Sequence, residues 1–216
     1  MLSVARIEAH AGEITLVAGR NGAGKSTLLR IIAGDIPGDS GVVYFGGLPL
    51  ANARLASLAR RGLFFLPDRN ILTPSLRIRT QLEAVAARFR TAAALQAAEV
   101  LGISTLLDNT PLEISQGELR RAELALALTR KPSCLIADEP LRGIDPKDAD
   151  HLLGTLRTLS STGCAVILSG HEMDPLMSVA DRVVWVTAGT THDLGNPETA
   201  QRNDHFRKEY LFGRWN

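Results

Sequence analysis

The stretch Gly19-Arg20-Asn21-Gly22-Ala23-Gly24-Lys25-Ser26, continued by Thr27, decides how this chain is read. It fits the pattern G-x-x-x-x-G-K-[ST]. Its glycines let the backbone turn tightly and approach a polyphosphate with no Cβ in the way, so successive N–H groups can point at phosphate oxygens. Lys25 supplies a mobile positive charge for the outer phosphates and Ser26 a hydroxyl for Mg²⁺. The helix that starts here adds its positive dipole end. A glycine-rich turn would account for the glycines alone. The flanks account for more, because an apolar run, Ile14 to Ala18, precedes the loop and a helical pattern, Lys25 to Ala33, follows it. Together they predict a nucleoside triphosphate site.

Outward from the loop, strand and helix patterns alternate. Strands are predicted at Ile14 to Ala18, Val42 to Phe45, Leu63 to Leu66, Ser133 to Ala137, Cys164 to Leu168 and Val183 to Val186. Helices are predicted at Lys25 to Ala33, Gln116 to Thr129 and Pro146 to Ser160. The strands that are apolar throughout suit a parallel sheet covered by helices on both faces. Between Pro67 and Pro111 strand signals vanish and Ala-rich helices take over, Gln81 to Arg90 and Ala92 to Leu101. The expected fold is therefore one α/β domain over residues 1–216. Residues 1–66 and 112–216 form the core and 67–111 an inserted helical subdomain.

Bulk properties narrow the class. A chain of 216 residues can bury one sizeable core, and a 45% apolar content argues against disorder. A net charge of +1 gives no general affinity for nucleic acid. No apolar run reaches the about 18 residues of a membrane helix. Arg6, Glu8 and His10 stand where a secretory apolar region would be. A membrane role is expected only through partners. Cys134 and Cys164 lie in apolar runs and read as buried thiols, not as a disulfide framework or metal cluster.

The second half carries the chemistry that complements the loop. Cys134-Leu135-Ile136-Ala137-Asp138-Glu139-Pro140 is an apolar strand ending in two carboxylates. Beside a phosphate loop, such a strand end is where Mg²⁺ and an attacking water must be held. Asp138 is expected to orient Mg²⁺ and Glu139 to polarise or deprotonate the water. Upstream, Ile114-Ser115-Gln116-Gly117-Glu118 opens a helix. By itself it reads as a helix cap with a nearby acid, and equally as an anion site at a helix N-terminus.

In series, these motifs resemble the ATP-binding cassette (ABC) family, whose signature Leu-Ser-Gly-Gly-Gln precedes just such a helix. The resemblance implies that Ser115, Gly117 and Glu118 close over a nucleotide held by a second cassette. Leu141-Arg142-Gly143-Ile144-Asp145-Pro146 resembles the family's loop after the acidic strand, which places Asp145 with Ser115 at a dimer interface. From its residues alone it is a turn leading into a helix at Pro146. Leu168-Ser169-Gly170-His171-Glu172 resembles the switch segment, with His171 reaching the γ-phosphate. Ala180 to Val186 and Gly189 match the last strands of a cassette. Phe206 to Gly213 is similar to the tail of cassettes serving branched-chain amino acid import and lipopolysaccharide export. The resemblance runs from about Gly12 to the end and implies a P-loop NTPase fold of the ABC type, a mainly parallel sheet with flanking helices and a small N-terminal antiparallel β part.

Three positions depart from the family pattern. The family sets an aromatic residue before the phosphate loop to stack on adenine, and here no aromatic precedes Tyr44. Either the start is truncated or the base is held another way. Asp68 stands where a glutamine that touches Mg²⁺ is usual, so a carboxylate takes the place of an amide. Gln116 replaces the first glycine of the signature. The resemblance implies an ATP-hydrolysing, Mg²⁺-dependent subunit of an ABC transporter. It would dimerise on ATP binding and drive transmembrane permease subunits from the cytoplasmic face of the membrane, with no nucleic-acid partner. The alternatives are an ABC-type ATPase acting on ribosomes or DNA, and a small-molecule kinase, in which the Ser115 to Glu118 signature would have no task.

Overall fold

The computed structural model describes residues 3–50 and 53–210. In chain order the elements are β1 (Ile14–Ala18), α1 (Lys25–Ile32), β2 (Val43–Phe45), β3 (Leu48–Leu50), α2 (Leu55–Arg61) and β4 (Leu63–Leu66). There follow α3 (Ile78–Phe89), α4 (Ala94–Val100), α5 (Gln116–Arg130), β5 (Cys134–Asp138), α6 (Pro146–Ser161) and β6 (Ala165–Ser169). The chain closes with α7 (Met173–Val179), β7 (Arg182–Thr187), β8 (Thr190–Asp193), α8 (Pro197–Arg202) and α9 (Asp204–Tyr210). The main sheet has the order β4-β5-β6-β1-β7-β8. All its neighbours are parallel except β7 and β8.

Burial explains why apolar runs became the inner strands. β1, β5 and β6 are buried at every residue, because helices cover both faces and alternation would leave polar groups dry. One core cluster joins Ile14, Leu16 and Leu66 to Ile78, Leu82, Leu101 and Leu107 of the 67–111 segment. α3 and α4 pack against α5. α5 is accordingly buried on nearly all sides, including Arg120 and Glu123. Asp181 pins the sheet centre: it accepts the Ile14 N–H at 2.7 Å and both Nη groups of Arg157 from α6, at 2.7 and 3.0 Å.

The small antiparallel part follows the phosphate loop. β2 and β3 pair around Gly46-Gly47, whose φ values of 59° and 75° are those of a tight hairpin turn. The lead-in before β1 holds an isolated parallel bridge between Val4 and Thr190. The sequence reading did not anticipate β3, β8, α2 or α7 to α9. These elements are short, and their residues are mostly half-exposed, which leaves little periodic signal. Of the tail motif, Phe206 is seated in a small apolar cluster at 2% exposure, whereas Leu211, Phe212 and Gly213 lie outside the described residues.

Strand register, not chain order, assembles the site. Asp138 lies opposite Ser169, and Ser169 lies opposite Val17. Ala18 lies opposite Trp185 and Leu66 opposite Ala137. The carboxyl ends of β4, β5, β6, β1 and β7 thus form one row, the edge at which ligands bind in open α/β sheets.

Candidate nucleotide site

The phosphate loop leaves the centre of that row. Gly19 has no room for a side chain, since a Cβ there would meet the Val186 carbonyl oxygen at 2.7 Å. Gly22 and Gly24 hold φ of 80° and 103°, in the left-handed region that favours glycine. Gly24 caps α1, so the first N–H groups of that helix open onto the loop. Arg20 and Asn21 are exposed, Ala23 and Ser26 half-buried, and Thr27 exposed. Lys25 is buried and folds back on the loop, donating from Nζ to the Gly19 carbonyl at 2.6 Å and the Arg20 carbonyl at 3.3 Å. Burial draws its ammonium below the ordinary lysine range, against the opposing pull of Glu139, Asp138 and Glu209.

The acidic strand end lies beside it. Asp138 is 1% exposed. Its Oδ1 accepts from the Ser169 hydroxyl, and its Oδ2 is buried without a hydrogen-bond partner among the described residues. A desolvated carboxylate oxygen left open is costly unless something cationic meets it. Together with the Ser26 hydroxyl it is a hard-oxygen donor set that fits Mg²⁺, which takes few protein ligands alongside water and phosphate. Glu139 holds φ of 51°, unusual for a residue with a side chain, where strain is characteristic of functional sites. Its N–H donates to the Ser169 carbonyl at 3.2 Å and the Ser169 hydroxyl at 3.3 Å. Its Oε1 lies 3.3 Å from Nδ1 of half-exposed His171.

The signature segment is folded in a different way. Ser115 caps α5, accepting from the Glu118 N–H at 3.3 Å, while Glu118 Oε2 accepts from the Ser115 N–H and hydroxyl, both at 2.8 Å. These bonds hold the Glu118 carboxyl below the usual carboxylate range. Gly117 packs on the loop after β5: a Cβ there would meet the Gly143 carbonyl at 2.7 Å. Asp145 caps α6 by accepting the Lys147 N–H at 2.9 Å. Asp68 is exposed, its carbonyl accepts from Arg142, and it lines a cleft of about 10 Å³ with Gln116, Arg120 and Arg142.

Lys25, Asp138, Glu139 and His171 therefore converge on one edge, while Ser115, Gly117, Glu118 and Asp145 form a second, locally bonded surface. Two residues at the edge were not anticipated in role. Ser169 bridges Asp138 and Glu139, and the only sequence hint is a hydroxyl at the end of an apolar strand. Arg120 reaches the backbone of both carboxylates from α5. The sequence carries no local hint of it, since Arg121 stands beside it on the same helix.

Comparison with known proteins matches this arrangement. The ABC transporter family model covers residues 2–142. The lipopolysaccharide export system ATP-binding protein LptB of Escherichia coli is 29% identical, over 94% of this chain and 87% of its own length. The molybdenum import ATP-binding protein ModC of Mycobacterium tuberculosis is 34% identical, over 86% of this chain and 54% of its own length. Among solved structures, a dimeric ATP-binding cassette in a post-hydrolysis state with ADP and phosphate has the same fold, with a TM-score of 0.80 at 22% identity over 89% of this chain and 90% of its own. Motif order, sheet register and these matches agree: the chain belongs to the ABC transporter family and has the fold of its ATP-binding cassettes.

Proposed function

We propose that this cassette hydrolyses ATP at composite sites built head-to-tail with a second cassette, and that the cycle drives separate transmembrane permease subunits. The observation that carries the reading is the edge itself: a buried ammonium, an open buried carboxylate oxygen and a strained glutamate paired with a histidine, all beside a phosphate loop. Phosphoryl transfer to water needs positioning and charge neutralisation rather than covalent help, and these residues divide that work.

Lys25 exchanges the Gly19 and Arg20 carbonyls for phosphate oxygens when a nucleotide enters, while the loop amides from Gly19 to Thr27 cradle the rest. Ser26 and Asp138 would hold Mg²⁺, and Asp68, on the loop after β4, would add a further carboxylate to its surroundings. The ion, when bound, neutralises charge on the phosphates. Glu139 accepts a proton from the attacking water, and His171 braces the γ-phosphate and steadies Glu139 through its Nδ1. Ser115, Gly117 and Glu118 complete the partner's site, with Asp145 at the same interface. Residues 67–111 act as a helical subdomain that meets the permease. The dimeric cassette with ADP and phosphate supports the paired arrangement, and the transporter relatives support the permease partners. No described helix is long and apolar enough to cross a membrane, which agrees with docking on permeases at the cytoplasmic face.

Glu139→Gln removes the proton acceptor and should trap the closed state. Size-exclusion chromatography at saturating Mg-ATP is expected to show a persistent dimer that wild type forms only transiently. A variant that stays monomeric overturns the composite site. Recovery of the chain only in ribosomal or DNA-bound fractions would overturn the transport half of the reading.

A further inference from the structure

Arg120 is a buried cation for which the nucleotide chemistry above has no use. It is 4% exposed on the second turn of α5, the helix that begins at the signature. Its Nη1 donates to the Pro67 carbonyl at 2.8 Å and pairs with Glu123 Oε2 at 3.1 Å. Its Nη2 donates to the Asp138 carbonyl and to the Glu139 carbonyl, the latter at 3.1 Å. Glu123, 1% exposed, extends the joint by accepting the Ile71 N–H at 2.7 Å. On the outer side Arg142 donates to the Asp68 carbonyl.

One guanidinium thus ties together the signature helix, the acidic strand end and the loop after β4. Stability is a weak explanation for it. Buried ion pairs are often matched or bettered by apolar residues of similar volume, because desolvation offsets the attraction. Geometry is a stronger one. A planar fork fixes the direction between its acceptors, which a point charge such as lysine does not. The peptide it holds is the strained one: Glu139 is fixed at its N–H by Ser169 and at its carbonyl by Arg120.

We propose that Arg120 is a positioning residue for hydrolysis, coupling the seat of the signature helix to the backbone of Asp138 and Glu139 and to the loop Pro67–Ile71. Closure of a second cassette on Ser115 then reaches the carboxylates of the same chain through a rigid contact. This inference rests on the composite-site reading. It adds a route by which the two half-sites of one chain sense each other.

The test compares Arg120→Lys and Arg120→Met in the full chain, measuring thermal midpoint, binding of a fluorescent ATP analogue, and kcat and KM for Mg-ATP. Arg120→Lys is expected to lower kcat about tenfold or more while KM and analogue affinity stay within about threefold, since the nucleotide contacts are untouched. Arg120→Met keeps the bulk without the donors and is expected to lose at least as much. If Arg120→Met does not fold, Arg120→Lys, which retains a charge for Glu123, decides alone. Folded variants with kcat within about twofold of wild type, whatever their thermal midpoint, overturn the proposal. Failure of the composite-site reading looks different: Glu139→Gln with native Arg120 would then form no ATP-dependent dimer.

Discussion

The phosphate-loop edge and the signature surface, the two halves of the proposed composite site, are folded to opposite standards of completeness. At the edge, among the described residues, Lys25 is buried with only loop carbonyls as hydrogen-bond partners, and Asp138 keeps a buried oxygen open. At the signature, Ser115 and Glu118 satisfy one another in a capping box and Asp145 satisfies its own helix. The first half leaves buried charged groups short of partners, which under the proposed function a Mg-nucleotide would supply. The second is a finished helix start whose polar groups already bond one another. Binding should therefore begin at the edge, and the signature should follow only when an apposed nucleotide offers better acceptors than its own cap.

The widest separation between the halves is expected from Lys25→Ala, which deletes the buried cation of the edge. ATPase activity should fall about a thousandfold, roughly 4 kcal/mol of transition-state stabilisation, in a steady-state phosphate-release assay. A loss below about tenfold would break the comparison by showing that the edge does not depend on its cation. Asp138→Asn should sharpen it: activity drops about a hundredfold and the Mg²⁺ concentration for half-maximal rate rises, whereas ADP affinity without metal is little changed. An unaltered Mg²⁺ titration would mean that the open oxygen has another purpose. Ser115→Ala should cost about tenfold in activity, leave nucleotide affinity of the monomer intact, and lower stability by about 1 kcal/mol through loss of the cap.

The smallest effect concerns acid. Hydrogen bonds from the Ser115 backbone and hydroxyl lower the Glu118 pKa from its ordinary 4.5. A carboxylate lowered in the folded state stabilises above the ordinary value and loses that contribution as pH falls through the folded one. Because Glu118 is only half-buried and screened by solvent, the change should amount to a few tenths of a kcal/mol. Denaturant titrations between pH 6 and about 3 should show it in wild type and not in Glu118→Gln. Equal pH profiles would show that the cap is not held by charge.

How much of this was legible beforehand follows from the range of each interaction. The phosphate loop, the acidic strand end and the capping segment are contiguous motifs with characteristic flanks, and β1, β4 and α5 matched their patterns within a residue. β3 escaped notice because its three residues, Leu48-Pro49-Leu50, are too few for periodicity to register, although Gly46-Gly47 marked the turn. Arg120 escaped for another reason. It joins partners 18, 19 and 53 residues away, and no local pattern distinguishes a buried arginine from a solvated one on the same helix.

The sequence by itself determined which groups are available: a glycine-rich anion cradle, a lysine, two adjacent carboxylates and a serine-capped helix. It did so because backbone freedom, strand burial and helix capping are set by neighbours along the chain. Tertiary structure alone decided which of them share an edge. The register Asp138–Ser169–Val17, set by strands remote in sequence, brings the carboxylates beside the loop, holds Glu139 in a left-handed conformation and leaves Asp138 Oδ2 open. The physical reason is that these are costs, strain and desolvation, which only a packed sheet with Arg120 and Ser169 fixed around it can sustain.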